Sequence, residues 1–446
     1  MTVLCYVRPW NKQQFKIIAE HAFPEEQIHF ISDFPKHAPF FLQEKLVEEF
    51  QKEKKSSISC IPDAELNDII VRCRLLRNID RKQAISLVNA CYKTVCNLFD
   101  ELQPQYVIGL TVDSYVIDLI RFVAEERGLT YFGLVPLFIN GYCRISARGE
   151  LGNVREVSDD EVDEVYHRLI NLQEKPSFLN ILSSNSELKK MWRKNKAKRA
   201  LRLFYMMLMR LRSPAHKYCY HYWHSYILMK ISGEKIDTAV FDDFELSTSQ
   251  SCYLPLQYIP ECTVDYWAKD IEVINYYQCL FEVLNKLSAA NIVIYVKEHP
   301  NCLAIRPKNF YKKLKTIPGV TLINPSLSSS ELVQDTDFTL VWTGSAGMEA
   351  ALLDKPVVHL GSPYYVNDEA HCFIDWQTFE NNKYKLPILK SSEQIKKSII
   401  RNVIESAVKS TFYPDPRELS QKENEDLAAR LGRSIQDALN NKSRQI

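Results

Sequence analysis

The apolar positions of this chain fall into short blocks of two kinds. Compact runs at residues 3–7, 28–31, Tyr106–Leu110 and 131–135 read as strands buried on both faces, since such strands lose the alternation of a half-exposed one. Between them, Lys12–Ala22, Arg81–Leu102 and residues 114–127 space their apolar side chains at three and four, which predicts helices, the last closed by Gly128. Strand, helix and strand joined by short connections predict right-handed parallel units. The pattern returns later: a helix over 271–289, strands over 292–296 and Val320–Ile323, a helix over 329–334, strand Phe338–Val341, a helix over 346–353 and a strand over 357–360. The chain is therefore expected to be α/β, with two parallel sheets.

A length of 446 residues against roughly 150 per domain agrees with more than one core. The expected division is an N-terminal Rossmann-like domain over 1–173, a helical basic connecting segment over 174–245, a second Rossmann-like domain over 246–415, and a helical tail over 416–446 that packs back. Charged residues are 25% and hydrophobic ones 46%, ordinary values that exclude a disordered, collagenous or membrane-embedded chain. Lys plus Arg number 56 against 55 Asp plus Glu, so no global field draws the molecule to nucleic acid, and no nucleic-acid partner is expected. The 12 cysteines are scattered without a CxxC pair, which argues against zinc and against a disulfide framework. No metal and no cofactor are expected. The start, MTVLCYVRPWNKQQ, reads as a strand entering a helix and lacks signal-peptide features, so the expected location is the cytoplasm.

Glycine is scarce, 12 in all, and unevenly placed: six between Gly109 and Gly152, three between Gly344 and Gly361. Both regions are candidate ligand loops. In the segment IVIYVKEHP an apolar strand ends in Lys297, Glu298, His299 and Pro300, at the carboxyl edge of a sheet, where α/β folds bind ligands. Lys297 and His299 suit phosphate oxygens, and Pro300 fixes the turn. After the strand Phe338–Val341, the small residues Thr343, Gly344, Ser345, Ala346 and Gly347 lead into a helix with Glu349 one turn in. Such a loop suits an anion, with Glu349 accepting from sugar hydroxyls; the plain alternative is a helix cap. A third stretch, YLPLQYIPECTVD, runs from a strand into Gln257, Pro260, Glu261, Thr263 and Asp265, and offers a carboxylate nucleophile or a linker with a capping residue.

Taken in order, NGYCRISARGE (140–150), QYIPE (257–261), KEHP (297–300) and TGSAGMEAALLDKPVVHLG (343–361) resemble the bacterial capsule and lipopolysaccharide biosynthesis proteins that include the retaining β-Kdo glycosyltransferases. The resemblance covers about half the chain and implies a GT-B-like fold, two Rossmann-like domains facing across a cleft. It implies as donor a CMP-activated 3-deoxy-ulosonic acid and as acceptor a glycan or lipid-linked glycan. By motif, Lys297 and His299 would meet the CMP phosphate, and Ser345, Gly347 and Glu349 would line the nucleotide pocket. The acidic residue of the glutamine motif, Glu261 here where the family carries an aspartate, would be the nucleophile. Asp265, Asp242 and Asp243 remain alternatives, and Glu150 is the candidate acid/base. The expected activity is metal-independent transfer of a Kdo-type sugar with retention. The alternatives are a nucleotide-sugar 2-epimerase of GT-B architecture and a non-catalytic polysaccharide-binding or export component.

From 189 to 212 there are 10 Lys or Arg and no acidic residue, interleaved with Trp192, Leu201, Phe204, Tyr205 and Met206. A basic amphipathic helix of this kind fits an anionic membrane surface, which would place the protein on the inner face of the cytoplasmic membrane; a connecting helix with a solvated basic face is the other reading.

Overall fold

The first apolar run forms β1 (Thr2–Tyr6), fully buried beyond its first residue, and the next blocks form β2 (Gln27–Ser32), β3 (Phe40–Phe41), β4 (Tyr106–Leu110), β5 (Tyr131–Pro136) and β6 (Cys143–Ile145). In the computed structural model, which describes residues 2–34, 38–53, 59–171, 184–212, 240–303, 305–367, 370–387, 389 and 392–443, the chain divides into two units. One comprises Met1–Asp159, Leu208–His224 and Arg401–Ile446, the other Asp160–Met207 and Ser225–Ile400.

The second unit carries β7 (Ser251–Pro255), β8 (Val293–Lys297), β9 (Val320–Ile323), β10 (Phe338–Val341), β11 (Val357–His359) and β12 (Phe373–Asp375), and β13 (Ala407–Val408) returns to the first. Its six strands pair in parallel in the order β12-β11-β10-β7-β8-β9. Read in chain order this is the doubly wound arrangement of a dinucleotide-binding fold, with the first strand central and the winding reversing between β7 and β10. The first unit has the order β13-β6-β5-β4-β1-β2-β3, parallel from β5 to β3, with β6 and β13 antiparallel at one edge. Its winding reverses between β1 and β4. Each unit is thus Rossmann-like, the composition expected of a GT-B-like chain.

Most element boundaries follow the hydrophobic pattern, and the departures have local causes. Ser114 caps the helix Tyr115–Glu126 instead of lying in it. The predicted helix over 271–289 is a 3₁₀ turn, Ile271–Ile274, then Tyr276–Ala289, with Asn275 non-helical (φ −76°, ψ 65°) between them. The tail forms Gln421–Ser443 and lies on Lys12–Ala22 in the same unit. Gly432 makes that crossing tight, since a β-carbon there would meet Ile18 O at 2.5 Å. Gly133, in the glycine cluster of the first unit, also serves packing: a β-carbon there would lie 2.2 Å from the Ser146 carbonyl oxygen, so β5 and β6 approach closely.

The basic stretch is one helix, Asn185–Arg212. Its first turns are held by Leu188 against Leu303, with Met191 and Trp192 packed beside them, and by Asn195 Nδ2 donating to the Leu303 carbonyl at 3.1 Å. Residues 172–183 and 213–239 of the expected connecting segment lie outside the described residues. None of the described helices is long and apolar enough to cross a membrane.

Candidate functional site

In a doubly wound sheet the strand ends on either side of the reversal leave a crevice, because their following loops run to opposite faces. In the second unit those ends belong to β7 and β10, and the residues that follow are Gln257 and the loop Thr343–Ser345. They touch: a β-carbon on Gly344 would come within 2.8 Å of Gln257 Nε2, so no other residue brings the two loops together without moving the amide. Gln257 is fixed through its backbone. Its N–H donates to Tyr276 Oη at 3.0 Å, and its carbonyl accepts from Arg306 Nη2 at 2.9 Å.

Arg306 also braces the neighbouring strand end. It is fully buried and grips Glu298 through two bonds, Nε to Oε2 at 2.8 Å and Nη2 to Oε1 at 2.6 Å. Glu298 accepts as well from Tyr311 Oη at 2.7 Å and from the His299 N–H at 2.6 Å. A buried carboxylate is tolerated when paired and hydrogen-bonded in this way, and removing one partner of such a pair costs about 3 to 5 kcal/mol. The glutamate of KEHP therefore holds the turn in shape.

Lys297 is mostly buried and donates from Nζ to the Leu327 carbonyl at 2.6 Å and to Ser329 Oγ at 2.8 Å. Burial pushes its ammonium down to about 8, against the opposing pull of Glu349 and Glu331. Glu349 accepts from Ser330 Oγ. The loop after β9, the start of helix Ser329–Asp335 and the first turn of helix Ala346–Leu352 are thereby drawn together around Lys297. His299 is half-buried, and burial pushes its imidazole down to about 4, with Glu298 opposing. Its Nδ1 accepts from the Asn301 N–H at 3.2 Å, which leaves Nε2 to carry the ring proton, and its ring lies 5.3 Å from that of Tyr258. The residue is a neutral donor. Pro300 opens the 3₁₀ turn Pro300–Cys302 that follows.

Thr343 Oγ1 donates to the Thr263 carbonyl at 2.9 Å, and Thr263 Oγ1 donates to Glu261 Oε2 at 2.8 Å. This relay ties the Glu261 carboxylate to the loop at the sheet reversal. Gly347 is buried against Tyr365, whose hydroxyl a β-carbon would meet at 2.3 Å. Ser345 is exposed and precedes a helix of seven residues without capping it through its side chain. Asp265 is buried at the end of the turn Cys262–Asp265.

Some expected residues stand apart. Asp242 belongs to the edge of the sheet: it pairs with Lys315 at 2.7 Å and accepts from the Leu322 N–H at 3.2 Å. Asp243 is exposed beside it. Glu150, the candidate acid/base, commits both carboxylate oxygens to its own turn, accepting from the Ala147 N–H at 2.5 Å and the Arg148 N–H at 2.6 Å. That geometry makes it a turn lock.

Sequence reasoning passed over the equivalent edge of the first unit. At its reversal Arg8, just past β1, pairs with Asp113, just past β4, at 2.5 Å. The guanidinium lies 5.9 Å from the Tyr6 ring and 5.7 Å from the Trp10 ring, and Tyr6 Oη donates to Asp33 at 2.6 Å. Arg8 Nε and Asp33 Oδ2 are buried with no hydrogen-bond partner. An arginine beside two carboxylates and a tryptophan suits a saccharide. The strand run ending at residue 7 was the available signal. Arg306, Tyr276, Tyr311, Ser329 and Ser330 carried none, since each reaches the site from a distant element.

Residues 192–396 match the family model described as capsule polysaccharide biosynthesis protein. A search of curated proteins finds no match. Among solved structures, Thermosulfurimonas dismutans KpsC, beta Kdo 2,7 transferase, is similar at 12% identity over 92% of this chain and 90% of that one, with a TM-score of 0.37. The beta Kdo 2,4 transferase of the same KpsC is 16% identical over 67% of this chain and 79% of that one, TM-score 0.34. The UDP-GlcNAc 2-epimerase of Methanocaldococcus jannaschii is 12% identical over 99% of each chain, TM-score 0.28. Scores this low leave the functional argument to the family match and to the site itself.

Proposed function

From the premise that residues 192–396 carry the likeness to the capsule polysaccharide biosynthesis family, we propose that the protein is a glycosyltransferase. It moves a Kdo-type ulosonic sugar from its CMP ester to a surface polysaccharide or glycolipid acceptor, with retention. The observation that carries this reading is the convergence of Gln257, Lys297, His299, Thr343–Ser345 and Glu349 on one edge of a doubly wound sheet, around the reversal between β7 and β10.

The chemistry follows from the side chains. A departing CMP phosphate gains negative charge as the sugar–oxygen bond breaks, and Lys297 with the Nε2–H of His299 stabilises that charge. Glu349 and the hydroxyls of Ser330 and Ser345 suit ribose and phosphate oxygens. Glu261, held by Thr263, attacks the anomeric carbon as the phosphate leaves. An acceptor hydroxyl then displaces the carboxylate from the opposite face and releases its proton to water, so two inversions give net retention.

The helix Asn185–Arg212 serves the same reading by holding the enzyme at an anionic membrane of the cytoplasmic face, where lipid-linked acceptors lie. Six of the nine large apolar residues that stand exposed among the described residues, Leu201 to Leu211, sit on it. They follow a run of lysines and arginines, so charge attracts the surface and the apolar end enters it. Isothermal titration with CMP, UDP and GMP tests the donor class. CMP binding at least tenfold tighter than UDP is expected, and UDP preference or no nucleotide binding refutes the assignment. Product analysis with CMP-Kdo and a glycolipid panel then reports linkage and configuration.

A further inference from the structure

The second unit has a cavity of about 1090 Å³ that the nucleotide cluster does not use. It opens at the β11 and β12 edge of the sheet, whereas Gln257, Lys297 and His299 follow β7 and β8. Its volume lies at the top of the range for a small-molecule pocket, roughly 300 to 1,000 Å³. Among the described residues its lining is basic: Lys269, Lys383 and Lys385, with the imidazoles of His359 and His371, stand with one carboxylate, Asp375, which caps the helix Trp376–Asn381 by accepting from the Thr378 N–H at 2.9 Å.

The lysines come from two separate segments, residue 269 and residues 383–385, and the histidines from a third, residues 359–371. Between them the lining is Ser362, Asn367, Thr378, Asn381 and Asn382, side chains that both donate to and accept from hydroxyls, with Phe373 offering a ring edge or face to a sugar. Lys383 and Lys385 are exposed and make no ion pair among the described residues. Three lysines, hydroxyl partners and room for several rings suit a chain of acidic sugars.

We propose that this cavity binds an acidic oligosaccharide, a segment of carboxylate-bearing glycan, separately from the nucleotide. The choice of a saccharide rests on the glycan-transfer reading above; the choice of an acidic one rests on the cavity alone. Lysine ammonium groups pair with the carboxylates one by one, and the asparagines hold the hydroxyls between them. Such a site keeps a growing acidic product or acceptor on the enzyme between transfers.

The test uses the full chain, with hexagalacturonate as the acidic probe and maltohexaose as its neutral counterpart, titrated at low and at physiological salt. Binding of hexagalacturonate that weakens with salt, with no binding of maltohexaose, is expected. The double variant Lys383→Gln/Lys385→Gln should bind hexagalacturonate at least tenfold more weakly and CMP as the wild type does. Equal hexagalacturonate affinity in wild type and variant, equal binding of maltohexaose, displacement by equimolar inorganic phosphate, or loss of CMP binding in the variant would each overturn the proposal. Failure of CMP to bind the wild type, with hexagalacturonate still bound through Lys383 and Lys385, would remove the nucleotide reading and leave the acidic-glycan site standing.

Discussion

Gly344 and Gln257 meet across the reversal of the second sheet so closely that a β-carbon on the glycine would sit 2.8 Å from the glutamine's Nε2. The atom it would strike is the end of a flexible side chain, so the collision is relieved by swinging the amide away and not by moving the backbone. Gly344→Ala should therefore fold, with a loss within about 1 kcal/mol, yet displace Gln257 from the crevice. A melting temperature close to that of wild type with CMP binding weakened roughly tenfold or more is the expected pair of results. Unchanged binding in a folded variant would show that the Gln257 amide does not touch the nucleotide.

His299 gives a stability signature. Its imidazole sits near 4 in the folded protein against an ordinary 6.5, so between these values the unfolded chain binds the extra proton and stability falls as the pH drops from about 6.5 toward 4. The half-buried position limits the effect to on the order of 1 to 3 kcal/mol. Urea denaturation at pH 7 and pH 4.5 should show a larger loss for wild type than for His299→Asn. Parallel losses would mean that the ring is not held neutral by burial. At pH 7, His299→Ala should weaken CMP binding by roughly ten- to a hundredfold through loss of a hydrogen bond to a charged oxygen.

Lys297 makes the opposite statement about ligand. With its ammonium near 8, the free enzyme begins to lose the charge just above neutrality, and a phosphate then has to draw a proton in as it binds. CMP affinity should fall above pH 8, by up to about tenfold per pH unit. In Lys297→Gln the affinity should be lower throughout and flat over the same range. A wild-type curve flat from pH 7 to 10 would remove Lys297 from phosphate contact.

The hydrophobic pattern located both sheets because each central strand is buried on both faces and so reads as an unbroken apolar run, as in residues 3–7 and Phe338–Val341. It placed Lys297 and His299 at a strand end because a run that stops abruptly in polar residues marks one, and a parallel sheet gathers its strand ends on one edge. The pattern was silent on Arg306, which reaches Glu298 and Gln257 from a loop without periodicity. Short edge strands such as β13, two residues long and antiparallel to β6, are equally silent, because their pairing is decided by tertiary contact. At Glu150 there is a related limit: four residues of sequence do not reveal that a carboxylate will bond its own backbone amides. The helix break at Asn275 shows the same limit, for the apolar spacing continues through it.

The helix Asn185–Arg212 should act through two separable parts. Replacing Lys194, Lys196, Lys198 and Arg199 with Gln removes four charges worth about 1 kcal/mol each near an anionic surface, roughly a thousandfold in partitioning. Replacing Phe204 and Leu211 with Ser, both strongly exposed, should instead weaken binding in a way insensitive to salt. Sedimentation with phosphatidylglycerol-containing vesicles and with pure phosphatidylcholine vesicles distinguishes the two. If wild type and both variants sediment alike with anionic vesicles, the helix is a connector and the membrane role is lost.

In the proposed reaction the nucleophile, Glu261, is held by a relay that begins at the sheet reversal: Thr343 holds the Thr263 carbonyl, and the Thr263 hydroxyl holds the Glu261 carboxylate. That second hydrogen bond fixes the far end of the glutamate. Glu261→Gln keeps the volume and the bond from Thr263 but lacks the anion, so CMP should bind as in wild type while transfer falls at least about a thousandfold. Thr263→Val keeps the anion and frees it, and should cost a smaller factor, on the order of ten, in kcat with KM unchanged. Intact-protein mass spectrometry with CMP-Kdo alone should reveal a sugar adduct on wild type and none on Glu261→Gln. An adduct that persists in Glu261→Gln and maps to Asp265, which lies buried one turn further along, would transfer the nucleophile to that residue and leave Glu261 a support for the loop.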